Sequence, residues 1–265
     1  MSATYTTTDE LEHPVPAPDS LRPWFTRTTS TAPLVDIAQP VAHLPRTSTT
    51  VVLRTEASGR RAAFVIGTRT RATYSRPEQP AGCVRLELAP GVTRQLLGVS
   101  AGELTDRTRP LAALPGPLGE LAADLDEIPA ADALEFLGAA LPERVSETGG
   151  ERARRELLDA ALALLSGPDA PAVPAVAAGL AVSERQLRNV FGAGIGLSPK
   201  HFARIDRVRR VVASAGSMPW SHLAVTAGYY DQSHLTSDFR TMMGVPPQAY
   251  LRGSLPAPTA CAAPR

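Results

Sequence analysis

Between Gly228 and Arg240 the chain reads GYYDQSHLTSDFR. Gln232, Ser233, His234, Ser237 and Arg240 all carry groups that hydrogen-bond a base edge or a phosphate oxygen. Earlier, SERQLRNVF (183–191) offers Arg185, Arg188 and Asn189. Arginine pairs bidentately with guanine, Asn and Gln pair with adenine, and Ser serves either. The chemistry these residue types suggest is reading a polymer, provided rigid elements hold them on one surface.

The flanking residues supply such elements. AAGLAVSERQLRNVF (177–191) and AVTAGYYDQSHLTSDF (224–239) share a pattern. Each starts on alanine, has a small residue four positions on (Ala181, Gly228), and then places Leu and Phe four apart. Leu187 and Phe191 share one helical face, as do Leu235 and Phe239. The pattern predicts a short helix, a tight turn and a second helix, twice over. Ser183 and Asp231 are suited to cap the second helix of each unit. With Leu and Phe inward, at about 100° per residue, Arg185 and Asn189 point outward with Arg188 beside them. In the second unit Ser233, His234, Ser237 and Arg240 form the outer arc, with Gln232 at its mouth. A polar helical face is more often merely solvated; its repetition after two similar turns argues against that here. Between the units, SPKHFARIDRVRRVVAS (198–214) predicts a helix capped by Ser198, with Pro199 in its first turn. Phe202, Ile205, Val208 and Val212 form its apolar stripe, and Arg204, Arg207 and Arg210 lie off it. About 24 Å of helix could hold two reading helices in successive major grooves, which lie about 34 Å apart.

In this order the motifs resemble the AraC/XylS family of transcription regulators over residues 172–252. The resemblance rests on SERQLRNVF, GLSPKHF, LAVTAGYYDQSHLTSDFR and the ending MMGVPPQAY. It implies that Arg185 and Asn189 read bases from one helix and Gln232, Ser233, His234 and Ser237 from the other. It places Val176, Leu187, Phe191, Leu223, Leu235 and Phe239 in the core. The chain departs from the family pattern at Ala181, where glycine is usual, and at Asn189 and Ser237, where arginine is frequent. Gly192-Ala193-Gly194 replaces a stretch that is usually charged. These changes remove phosphate or guanine contacts.

The 265 residues suit two domains, and the formal net charge is only +1. Charge is unevenly placed, with nine basic residues against four acids between 183 and 252. A basic C-terminal part fits a polyanionic partner. Cys83 and Cys261 are too few and too far apart for a disulfide framework or a thiolate zinc site. His201, His222 and His234 lack clustered ligand spacing. The first two read as helix-surface residues and His234 as a base or phosphate contact. The start, MSATYTTTDELEH, lacks a basic region followed by an apolar run, and no segment is apolar enough to span a membrane.

Upstream of the repeat the texture is first β-like and then helical. TTVVLRT (49–55) and AAFVIGT (62–68) flank a Ser-Gly turn, and CVRLELAP (83–90) alternates like a half-buried strand. Leu118, Leu121, Leu125 and Ile128, then Leu134, Leu137 and Leu141, have helix spacing, with Pro142 ending the second run. Residues 151–166 predict a further helix. The region resembles, more distantly, the sensory domains of some family members, a small barrel followed by helices; residues 86–111 carry that likeness.

The expected fold is α+β: an N-terminal, cupin-like small β-barrel with helices, then an all-α domain of two helix-turn-helix units joined by a linker helix. Expected divisions are a disordered 1–25, a sensory or oligomerisation domain 26–148, a DNA-binding domain 151–252, and a disordered tail 253–265. The expected partner is double-stranded DNA, with RNA polymerase, a small-molecule effector and a second copy as further candidates. A cytoplasmic, nucleoid-associated location is expected, with no membrane, cofactor, metal or catalytic residue. The alternatives are an alkyl-transfer enzyme, which two distant cysteines argue against, and an N-terminal region that serves only protein interaction.

Overall fold

The computed structural model describes residues 5–31, 40–56, 58–76 and 81–260. Its N-terminal domain is built on two sheets. The four-stranded sheet runs β1 (Thr6–Thr7), β4 (Val41–His43), β7 (Thr73–Arg76), β10 (Thr259–Ala260). The six-stranded sheet runs β2 (His13–Pro14), β3 (Phe25–Thr31), β8 (Ala81–Leu88), β5 (Thr50–Glu56), β6 (Arg61–Ile66), β9 (Thr108–Pro110). Strand β5 lies between β6 and β8, antiparallel to both, with Val51 opposite Val65 and Leu86, and Leu53 opposite Ala63 and Val84. Strand alternation sends these residues to one face. There they meet the leucines of α2 (Thr93–Leu97), α4 (Pro117–Glu120), α5 (Ala122–Glu127) and α6 (Ala133–Arg144), whose Leu118, Leu121, Leu125, Leu134, Leu137 and Leu141 are buried. Two further short helices are α1 (Thr8–Leu11) and α3 (Ala101–Leu104), and Leu104 of α3 joins the same core.

Helix α6 continues past Pro142 to Arg144, where the sequence suggested a stop. Proline has no N–H for the carbonyl four residues back. That carbonyl, Gly138 O, instead accepts from Ser20 Oγ at 2.8 Å.

Parts of the expected disordered ends are also ordered. Residues 5–14 carry β1, α1 and β2, because their acids meet half-buried arginines. Glu12, with its side chain 1% exposed, pairs with Arg85 Nε at 3.2 Å and Arg46 Nη2 at 3.4 Å. Asp9 bridges Arg46 at 2.6 Å and Arg209 at 2.7 Å. Burial pushes the Asp9 carboxyl upward, and the two guanidinium groups outweigh it and hold the group below its ordinary range. At the other end, Thr259–Ala260 pairs parallel with Ser75–Arg76. An exposed strand edge offers unpaired backbone groups, and β10 takes them. Cys261 and residues 1–4 fall outside the described residues.

Helices α7 (Gly149–Leu165), α8 (Val173–Gly179), α9 (Glu184–Ile195), α10 (Pro199–Ala213), α11 (Trp220–Thr226), α12 (Gln232–Met243) and α13 (Pro247–Leu251) enclose a second apolar core. Thr148 and Glu151 close a reciprocal capping box at the start of α7. Among the described residues, no helix is long and apolar enough to cross a membrane.

Candidate nucleic-acid interface

The two helix-turn-helix units are built alike, down to a backbone bond. In the first, α8 ends near Ala181 and the Val182 N–H donates to Ala177 O at 3.0 Å. In the second, α11 ends near Gly228 and the Tyr229 N–H donates to Ala224 O at 2.8 Å. Both turn residues are left-handed, Ala181 with φ 55 and Gly228 with φ 78. Ser183 Oγ then accepts from Gln186 N at 3.1 Å, and Asp231 Oδ1 from His234 N at 2.7 Å. Each cap satisfies a donor that the helix start leaves open. Leu187 with Phe191, and Leu235 with Phe239, are wholly buried as their spacing predicts.

With those pairs inward, Arg185, Arg188 and Asn189 are exposed on α9. Gln232, Ser233, His234, Ser237 and Arg240 are exposed on α12. Tyr230 was missed in the sequence. It is 93% exposed and directly precedes the cap of α12. A signal for it exists: the units are in step up to Val182 and Tyr229, and Tyr230 is the extra residue before Asp231.

Helix α10 joins the units. Ser198 Oγ accepts from His201 N at 3.2 Å, and Pro199 takes the first turn. Besides Pro199, its buried residues are Phe202, Ile205, Val208 and Val211; the stripe ends on Val211 rather than on Val212, which is only half-buried. Its arginines face neighbouring protein. Arg204 holds Asp238 Oδ1 of α12 through Nε at 3.0 Å and Nη2 at 2.7 Å. Arg207 lies 4.9 Å over the Tyr229 ring and donates to Gly228 O at 3.3 Å. Arg209 reaches Asp9 and donates to Pro45 O at 2.9 Å. Arg210 pairs with Asp206 at 2.9 Å.

His234 stands edge-on to Tyr229, ring centres 5.3 Å apart, with Nε2 at 4.0 Å from Asp238 Oδ2. Burial, followed by the Asp238 charge, pushes the Tyr229 phenol upward, so it stays neutral. His201 is held below its ordinary range by burial and then by Arg204, and remains largely uncharged at neutral pH. Among the described residues no cluster of His, Cys, Asp or Glu could hold a metal. Cys83 is half-buried on β8.

Residues 176–253 match the family model of a helix-turn-helix domain. Among solved structures, the chain is similar to the C-terminal domain of AraT, a response regulator from Geobacillus stearothermophilus. Identity is 24%, over 39% of this chain and 87% of that one, with TM-score 0.34. A probable AraC family transcriptional regulator from Rhodopseudomonas palustris is 25% identical, over 40% of this chain and 99% of that one, with TM-score 0.31. An apo ToxT variant from Vibrio cholerae is 11% identical, over 85% of this chain and 97% of that one, with TM-score 0.41. No curated protein matches the chain. The repeated capped units and the matched family model define a DNA-binding transcriptional regulator. Within that class, the matched stretch, residues 176–253, is a helix-turn-helix domain of the AraC type.

Proposed function

We propose that α9 and α12 enter successive major grooves of one duplex and read its sequence. The carrying observation is that two units with the same turn bond and cap both turn a polar arc to solvent. Arg185 and Asn189 take base edges from the first helix, and Gln232, Ser233, His234 and Ser237 from the second. Arg188 and Arg240, with the Tyr230 hydroxyl, take phosphates. Arginines Arg204, Arg207, Arg209 and Arg210 act as struts within the protein instead. The test is selection of duplexes from a random pool by the full chain and by its Arg185→Ala and Gln232→Ala variants. Each variant is expected to relax preference within one half-site only. Unchanged preference in both would show the reading faces to be wrong.

The N-terminal domain then serves as effector sensor or dimerisation element. A cleft of about 690 Å³ between residues 5–10 and α10 supports the first role, because a molecule there would touch both domains. Tyr5, Asp9, Arg209 and Tyr250 are among its walls. Thermal-shift screening of the full chain against metabolites tests this, and sizing in solution tests dimerisation. The protein acts by binding, without catalysis, in the cytoplasm, with RNA polymerase as its downstream partner.

A further inference from the structure

An α-helix leaves the carbonyls of its last turn without partners in the helix. In both reading helices, donors from the N-terminal domain meet such groups. At the end of α9, the Gly91 N–H donates to Gly194 O at 3.2 Å. Thr105 Oγ1 donates to Gly196 O at 3.0 Å. At the end of α12, the Ala72 N–H donates to Met242 O at 2.7 Å. The Tyr74 hydroxyl donates to Met243 O, also at 2.7 Å. Each helix thus receives one backbone and one hydroxyl donor.

The two capping loops are bonded to each other. Thr68 Oγ1 lies 3.1 Å from Thr105 Oγ1. The Asp106 N–H donates to Thr68 O at 2.8 Å. The Asp106 carboxylate accepts from Thr70 N at 2.7 Å and from Thr70 Oγ1 at 2.6 Å. Asp106 does this from a left-handed backbone, φ 56, a conformation that aspartate tolerates better than most non-glycine residues. A short bonded path therefore runs from Gly196 through Thr105, Asp106 and Thr70 to Tyr74 and Met243. The glycine run on α9 permits the close approach. A Cβ on Gly194 would stand 3.4 Å from Gly91 Cα, and one on Gly196, just past the helix, would collide with Thr105 Oγ1.

We propose that the N-terminal domain is a second strut beside α10, fixing the distance and rotation between the two reading helices. Thr105 and Tyr74 are positioning residues and Asp106 is the link between them. The strut makes the regulator selective for the spacing of its half-sites, and it gives an event in the N-terminal domain a direct mechanical route to both helices. This inference rests on both helices entering DNA.

The experiment uses the full chain and the two-half-site duplex that it selects from a random pool, with versions lengthened or shortened by one base pair between the half-sites. One base pair shifts a half-site by about 3.4 Å and rotates it by about 34°. The variants are Thr105→Val with Tyr74→Phe, and separately Asp106→Ala, which keeps all four caps and removes the two carboxylate bonds to Thr70. In both, the affinity ratio of matched to mis-spaced duplex is expected to fall by about fivefold or more, the scale of one lost hydrogen bond. An unchanged ratio in both variants overturns the strut, even if their thermal stability drops. If the wild type selects only a single half-site, the two-helix reading itself fails and takes the strut with it.

Discussion

Arg204 and Asp238 join the linker helix to the second reading helix through a fork onto one oxygen. Both Nε and Nη2 of Arg204 hold Asp238 Oδ1, and the Asp238 side chain is only 6% exposed. Removing Arg204 leaves that carboxylate buried without its cation, the costly way to break such a pair. Arg204→Ala is expected to lower stability by about 2–3 kcal/mol. Arg204→Lys should recover less than half, since an ammonium cannot present the same planar fork. Urea unfolding of the three proteins checks this. A loss under about 0.5 kcal/mol, the range of ordinary surface substitutions, would remove the pair from the frame of the site.

Ala181 and Gly228 occupy the same place in the two turns, and only one is a glycine. With φ 55, Ala181 sits where a Cβ costs about 1–2 kcal/mol. Part of that is offset by the greater freedom glycine has in the unfolded chain. Ala181→Gly is expected to stabilise by about 0.5–1 kcal/mol. Gly228→Ala should destabilise by more than this gain, because its new Cβ would also stand 2.5 Å from Pro168 O. Thermal melts of the two variants, read for opposite signs, decide the matter.

These two residues mark what was legible in the sequence. The turn and cap signals, and the Leu–Phe pairs four apart, are local patterns that directly encode helix faces, so both units and their exposed arcs could be located. Strands β5, β6 and β8 were legible through alternation. What escaped were bonds that depend on which distant backbone group arrives nearby. Ser20 meeting the carbonyl freed by Pro142, β10 joining β7, and the caps on Gly196 and Met243 have no local signature, because a carbonyl looks the same in every residue. Tyr230 lay between the two cases, visible only as a slip in the repeat. The arginines of α10 misled by composition: they raise the local charge, yet their partners are internal.

His43 gives the fold an acid sensitivity. Its Nδ1 lies 2.7 Å from Thr8 Oγ1 and its Nε2 2.7 Å from Ser75 Oγ. Burial, then the charges of Arg69, Arg85 and Arg46, push it down to about 3. In the unfolded chain a histidine titrates near 6.5. Between those values the unfolded state binds a proton that the native state refuses, so this group's contribution is complete above about pH 6.5 and is lost as pH falls. The slope is about 1.4 kcal/mol per pH unit for one proton. The wild type is expected to lose more stability than His43→Gln between about pH 6 and pH 4, within this window. Parallel stability profiles would mean that His43 is not the group refusing the proton.

The division of the arginines into readers and struts makes a prediction about salt. Neutralising a phosphate releases condensed counterions, so log affinity falls with log salt by about 0.9 for each contact. Arg188 and Arg240 are exposed on the outer arcs. Arg207 and Arg210 are engaged with Tyr229 and Asp206. Arg188→Ala and Arg240→Ala should each reduce the slope by about one, with affinity falling equally for cognate and random duplex. Arg207→Ala and Arg210→Ala should leave the slope unchanged and lower the melting temperature instead, because what they lose is an internal contact. Titrations at several salt concentrations measure the slope. If the strut variants reduce it as much as the arc variants do, the linker helix itself lies against phosphate, and the face assigned to DNA must be rotated toward α10.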